Sequence, residues 1–308
     1  MISDLTLPSP FHPLVRLSEA WGVELSIKRD DLIPQWLGGN KVRKAYEIIR
    51  TMVAAGGMPD VLITNGGAES NHARVIALLG AQLGCKVHLV LHGAQPGETL
   101  RGNSYFYRSA GAHVHYVRSS EIAETITSIE RRERQHGNTV QVIPGGGHSI
   151  DGAKAYELAV DELPYEPDYI VHASGTGGTQ AGLQAGVFNK GWCTRVIGIS
   201  IARAAERGID EIARLLPESF PRNKIDFRDE YRFGGYEKFD TDLVSFVSYL
   251  VKEEGVPFDL TYTGKAMYGL KKIVDGNEIE PGARVVFWHT GGLLNLQSAR
   301  LGENDELK

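Results

Sequence analysis

Lys41 stands in Gly38-Gly39-Asn40-Lys41-Val42-Arg43-Lys44, and far downstream Ser174-Gly175-Thr176-Gly177-Gly178-Thr179 follows an apolar run. The first motif offers an amine that could anchor a cofactor. The second offers a seat for an anion: its glycines let backbone N–H groups converge, the Thr176 and Thr179 hydroxyls add donors, and a helix from about Gln180 adds its positive end. Each has a plainer reading alone, as a loop lysine and as a structural strand-to-helix turn.

Spacing separates this turn from other phosphate binders. A dinucleotide fingerprint needs Gly-x-Gly-x-x-Gly/Ala, but counting from Gly175 and Gly177 the sixth position is Gln180, and no acid ends the next strand at Ser200. A P-loop needs Gly-Lys-Ser/Thr, which the turn lacks. A seat for one terminal phosphate remains, and with Lys41 it points to pyridoxal phosphate. Thr64-Asn65-Gly66-Gly67-Ala68-Glu69-Ser70-Asn71-His72 also runs from a buried strand into a helix start, where free N–H groups suit a small carboxylate. Ser70 there could equally be only an N-cap. Tyr262-Thr263-Gly264-Lys265 and His289-Thr290-Gly291-Gly292 complete the set, the latter at a strand end. Lys265 competes with Lys41 as anchor, but at a helix start it reads more simply as a solvated side chain.

The elements that must position these residues are short β-rich runs at 61–64, 87–91, 114–117, 169–173, 196–200 and 285–288, which read as buried parallel strands. Helical patterns at 69–83 and 121–134 lie between them, the latter placing Ile122, Ile126 and Ile129 on one face. Strand and helix alternate, so the class is α/β. Val142-Ile143-Pro144-Gly145-Gly146-Gly147-His148 is the clearest mid-chain break. The division expected is a larger cofactor domain from residues 1–44 and 148–308 with a smaller α/β domain, 45–147, inserted. Only a charged tail at 303–308 has a composition biased toward disorder.

Composition excludes several classes. At 308 residues and a net charge of −5, the chain has no global field for nucleic acid or anionic lipid. Arg131-Arg132-Glu133-Arg134 reads as a solvated helix face. Cys85 and Cys193, in apolar surroundings and without Cys-x-x-Cys spacing, argue for neither disulfide nor zinc and fit a reducing compartment, the cytoplasm. The amino terminus lacks a basic stretch followed by an apolar one, and no run of 18 apolar residues occurs, which argues against secretion and membrane spanning. His113-x-His115 shares a strand face without a third ligand at metal spacing, so His88, His92, His113 and His115 read as strand and loop histidines.

Taken in order, Lys28-Arg29-Asp30-Asp31, Gly38-Gly39-Asn40-Lys41-x-Arg43-Lys44, Ser70-Asn71-His72-x-Arg74, the glycine turn with Gln180-Ala181-Gly182, Tyr262-x-Gly264-Lys265-x-Met267 and His289-Thr290-Gly291-Gly292 resemble the D-cysteine desulfhydrase and 1-aminocyclopropane-1-carboxylate deaminase family. This family lies within the tryptophan-synthase-β-like, fold type II pyridoxal-phosphate enzymes. The resemblance spans nearly the whole chain. It implies two three-layer α/β/α domains with mainly parallel twisted sheets, the cofactor in the cleft between them, and a homodimer. It also implies that Lys41 holds the cofactor covalently and then serves as proton-transfer base, which requires a lowered pKa. Asn71 would bond the cofactor's phenolic oxygen, and Thr176, Gly177, Gly178 and Thr179 its phosphate. Ser70, with Asn71 and His72, would bind the substrate, and Tyr236 and Tyr262 match the family's active-site tyrosines.

Thr263 discriminates within the family, because the cyclopropane deaminases carry a glutamate there that can protonate the pyridine nitrogen. Thr263 and Thr290 offer neutral hydroxyls, which makes the cofactor a weaker electron sink and favours β-elimination. D-cysteine would then give pyruvate, ammonia and hydrogen sulfide. Three departures bear on the substrate: Glu69 in place of the usual glutamine, which puts a negative charge by the carboxylate site if it points inward, Glu237-Lys238-Phe239 after Tyr236, and Leu293-Leu294-Asn295 after Gly292. Alternatives are therefore a lyase or deaminase for L-cysteate or 1-aminocyclopropane-1-carboxylate, and, in another class, a non-catalytic pyridoxal-phosphate or amino-acid binder.

Overall fold

In a computed structural model, the structure describes residues 4–93, 95 and 101–297; the charged tail at 303–308 lies outside them. Ten strands are described: β1 Phe11–Pro13, β2 Glu24–Arg29, β3 Val61–Gly67, β4 Lys86–His92, β5 His113–Tyr116, β6 Val140–Ile143, β7 Tyr169–Ser174, β8 Arg195–Ser200, β9 Asp226–Arg228 and β10 Arg284–His289. They form a six-stranded sheet, β1-β2-β10-β7-β8-β9, and a four-stranded sheet, β5-β4-β3-β6. Every pairing is parallel except β1 with β2.

Each of the six apolar runs forms the core of a strand, and side chains alternate between two covered faces. In the larger sheet Val171, Val285 and Phe287 pack with Leu243, Met267 and Leu270 on one side, while Ile170, Val286 and Trp288 pack with Tyr156, Leu183 and Val187 on the other. In the smaller sheet Leu62, Leu89 and Leu91 meet Val42, Ile49 and Val75, and Val61, Ile63 and Val90 meet Ile122, Ile126 and Ile129. Both sheets are thus sandwiched by helices, giving a mixed α/β fold with mainly parallel strands.

The strands that sequence reading did not anticipate have physical reasons for their disguise. β1 and β9 are three-residue edge strands, and β1 contains Pro13. β2 looks amphipathic and charged, yet five of its six residues are buried. Lys28 tolerates burial because its ammonium lies 2.6 Å from Glu162 Oε2 and donates to Ser9 O. Two other expectations need correction. Cys193 is exposed instead of apolar-packed. Glu133, within the presumed solvated arginine face, is buried and receives Lys86 and Asn138, with His88 Nε2 at 3.2 Å.

The two layer systems are tied by the helix Asn40–Gly56. Arg43 reaches from it to Asp30 Oδ1 at 2.8 Å and Glu162 Oε1 at 2.6 Å. Asp30 also accepts from Ser9, Tyr156 and Trp288. Burial raises its carboxyl, but Arg43 and these donors outweigh that and hold it below the ordinary carboxylate range. Removing one partner of such a pair strands a buried charge. Arg43→Met is therefore expected to cost about 3–5 kcal/mol in urea unfolding, whereas Arg222→Met, at a pair with Asp210 exposed on both sides, should cost less than about 1 kcal/mol.

Candidate active site

The lysine loop is seated by direct backbone contact. A side chain on Gly39, at φ 93°, would begin 3.0 Å from Thr290 O, and Asn40 N donates to that same carbonyl at 2.9 Å. The helix starts here, so Lys41 and Lys44 fall on one face at i and i+3 while Arg43 anchors another. Burial lowers Lys41 to about 8. Lys44 is fully buried and is lowered further, by burial first and by Lys41 second, and it has no ion-pair partner among the described residues. Lys44 lies within the motif of Lys41, and nothing in that motif alone assigns it a role. The available signal was its place in the apolar stripe with Ile48.

The glycine turn leaves β7 and enters the helix Gly178–Asn189, two residues earlier than expected. Gly177, its N-cap at φ 92°, brings the N–H groups of Gly178 and Thr179 into the first turn. Asn40 Nδ2 donates to Thr179 Oγ1 at 3.0 Å, which leaves the Thr179 hydroxyl proton free to donate onward. Ser174 Oγ is buried without a hydrogen-bond partner among the described residues. A side chain at Gly178 would begin 3.0 Å from Lys44 Nζ. The segment read as a domain break forms a wall here: a side chain on Gly146 would strike Thr176 at 2.8 Å, and one on Gly147 would approach Lys44 Cβ at 3.2 Å. A buried lysine without a counter-ion among the described residues, whose amine a dianion would help to protonate, together with the Ser174 hydroxyl and a glycine-lined helix start, fits a phosphate.

Lys41, Asn71, Thr176, Gly177, Thr179, Tyr262 and Thr290 line one cleft at the carboxyl ends of β3, β7 and β10. Ser70, His72, Gly178, Tyr236 and Thr263 stand around it without lining it. Ser70 is the N-cap of the helix Asn71–Leu83, accepting from Ala73 N at 3.2 Å. Asn71 has a fixed amide: Arg74, which can only donate, holds its Oδ1, and one Nδ2 hydrogen goes to Asn295 Oδ1 at 2.7 Å. Its second N–H is left for a ligand. His72 is buried against Thr64 Oγ1 at 2.9 Å, and burial, with Lys41 and Lys44 nearby, keeps it neutral. Tyr236 and Tyr262 share a hydroxyl–hydroxyl hydrogen bond of 2.7 Å.

Three side chains differ from the picture drawn from sequence. Thr263 donates to Asp259 Oδ1 at 2.7 Å; that buried carboxylate also accepts from the N–H groups of Thr261, Tyr262 and Thr263. Lys265 is fully buried, donating to Arg232 O at 2.9 Å and Gly235 O at 2.6 Å, so it holds the loop that carries Tyr236. Glu69 accepts from Asn103 N at 3.1 Å, at the start of the helix Gly102–Ser109, so its charge has a partner in a helix end.

Residues 2–291 match the family described as pyridoxal-phosphate dependent enzyme. A putative 1-aminocyclopropane-1-carboxylate deaminase of Pyrococcus horikoshii is 34% identical over 92% of this chain and 89% of its own length. The chain belongs to this family of pyridoxal-phosphate dependent enzymes. Within it, the 1-aminocyclopropane-1-carboxylate deaminase of Burkholderia ambifaria is 31% identical over 93% of this chain and 92% of that protein. The bifunctional D-cysteine desulfhydrase/1-aminocyclopropane-1-carboxylate deaminase of Arabidopsis thaliana is 32% identical over 94% and 77%. A solved structure of an ACC deaminase homologue superposes with a TM-score of 0.85 at 31% identity, covering 96% of this chain and 93% of that one. The cofactor of these pyridoxal-phosphate enzymes supplies, when bound, the electron sink that makes an amino acid's α-proton removable.

Two outcomes follow from the lysines. Lys44→Met should weaken pyridoxal-phosphate binding by at least about tenfold, the loss of a charge-assisted contact, read by fluorescence titration of the apoprotein. Covalent capture by Lys41 needs its neutral amine, so the capture rate should rise about tenfold per pH unit and level off above the Lys41 pKa of about 8, followed by stopped-flow absorbance.

Proposed function

We propose that this enzyme is a β-elimination lyase for a small β-substituted amino acid, with D-cysteine the foremost candidate, releasing pyruvate, ammonia and hydrogen sulfide. The observation that carries this reading is that no carboxylate lines the cavity among the described residues. The nearby buried acid, Asp259, is occupied by three backbone N–H groups and the Thr263 hydroxyl. A pyridine nitrogen without an acid partner is a weaker electron sink, which suits a reaction whose leaving group departs as the α-proton is removed.

In this reading Lys41 anchors the cofactor and, with its pKa near the working range, takes the α-proton. Asn71 presents its second N–H to the cofactor's phenolic oxygen. Thr176, Gly177, Gly178, Thr179 and Lys44 hold the phosphate. Ser70 and the helix start it caps receive the substrate carboxylate, with His72 as supporting wall. The Tyr236–Tyr262 pair offers the substrate a hydroxyl held by its neighbour. Thr290 keeps a neutral hydroxyl at the cavity wall, and Thr263 stabilises Asp259. Closure of the 45–147 segment over the site would exclude water. The same reading carries a homodimer in the cytoplasm. Deamination of 1-aminocyclopropane-1-carboxylate is the second reading, supported by the names of the relatives.

Purified, cofactor-saturated protein is to be assayed for 2-oxo acid release from D-cysteine, L-cysteine, L-cysteate, β-chloro-D-alanine and 1-aminocyclopropane-1-carboxylate, with Lys41→Ala as blank. Pyruvate from D-cysteine that vanishes in the blank is the expected result; 2-oxobutyrate from the cyclopropane alone would replace it with the deaminase reading, and silence on all five would favour a binder. Borohydride trapping followed by peptide mass spectrometry should place the adduct on Lys41, and an adduct on Lys44 or Lys265 would overturn the assignment.

A further inference from the structure

His148 follows the three-glycine segment, and its ring lies beside the phosphate cup. Its Nε2 stands 3.2 Å from Glu211 Oε2, in the helix Ala205–Ala213. Its Nδ1 is buried and has no hydrogen-bond partner among the described residues. A side chain at Gly178 would begin 3.6 Å from that Nδ1 and 3.0 Å from Lys44 Nζ, so both nitrogens converge on the first helical turn of the cup.

We propose that His148, oriented by Glu211, is a proton-operated arm of the cup: a phosphate dianion seated there draws a proton onto the imidazole, which then bridges phosphate and Glu211. This rests on the reading that the cup holds the cofactor's phosphate. An ionised Glu211 only accepts, so the neutral ring must carry its hydrogen on Nε2 and turn a lone pair, at Nδ1, toward the cup. A lone pair facing a dianion repels it, whereas an imidazolium donates to both sides.

The groups facing His148 set the direction of the change. Burial and Lys44, from the Asn40–Gly56 helix, lower the ring to about 4, with Arg203 adding to this and Glu211 opposing it. Arg214 pairs with Glu211 at 3.0 Å and tempers its charge. A dianion on the same spot reverses that balance and raises the ring's pKa. Between the lower and the raised value, binding takes up one proton, and affinity falls as pH rises through the raised value.

Apoprotein is to be titrated calorimetrically with pyridoxal phosphate at neutral pH in buffers of different ionisation enthalpy. The ionisation of the free phosphate, near about 6, and the Lys41 chemistry are shared by all variants and cancel in the differences. The wild type should take up about one proton more than His148→Gln and bind about tenfold more tightly, with the affinity gap closing at alkaline pH. Glu211→Gln frees the tautomer, so a neutral Nδ1–H can donate; it should lose the extra proton while keeping tighter binding than His148→Gln. Equal proton counts in wild type and His148→Gln overturn the proposal, including the case where affinity alone drops. Should Lys44→Met leave pyridoxal-phosphate affinity unchanged, the reading of the cup itself fails; weakening in Lys44→Met with equal proton counts removes only the His148 arm.

Discussion

The double anchorage of Arg43 to Asp30 and Glu162 is the interaction on which the site depends. Bringing a cation out of water is costly, and a buried lysine without a counter-ion normally escapes by moving or by losing its proton. Lys41 and Lys44 are denied movement, because the helix that carries them is held from another face by a guanidinium with two carboxylates and from its start by the backbone of Thr290. They respond through their protonation instead. The same sequence motif therefore holds both the fastening and the strained groups, and removing Arg43 would relax the very burial that makes Lys41 a usable nucleophile.

Charge is sorted by position across the molecule. Several buried or half-buried cations away from the cavity are paired: Lys28 with Glu162, Arg29 with Asp31, Lys86 with Glu133. Lys41 and Lys44 beside it have no ion-pair partner among the described residues, and Asp259 and Glu69 are occupied by N–H groups of their own. The result is a recess whose two lysines are ready to take up protons when a dianionic phosphate arrives, and which leaves Lys41 as the base.

The architecture was legible where strands are buried on both faces, since continuous Val, Ile and Leu runs can mean little else at that length. β2 was not, because its Lys28 and Arg29 read as surface until their partners, 134 residues away for Lys28, come into view. The site was legible as motifs: Lys41, Asn71, the glycine turn, Tyr262 and Thr290 converge on one cavity. Lys44 was passed over because a lysine beside an arginine looks solvated, although its helical spacing with Ile48 placed it in an apolar stripe. Lys265 was misjudged for a different reason, since the loop that covers it lies some 30 positions upstream and nothing local announces it.

That lysine has a consequence for the kinetics. Lys265 is lowered to about 8 by burial, the same value as Lys41. As an ammonium it has three hydrogens for the carbonyls of Ile201, Arg232 and Gly235; as an amine it has two. One of these three tethers, two of which hold the Tyr236 loop, thus loosens over the pH interval in which Lys41 gains its reactive lone pair. Gain at the nucleophile and slackening at the tyrosine are superimposed, and the alkaline side of the rate profile will be the product of two lysines acting in opposite directions.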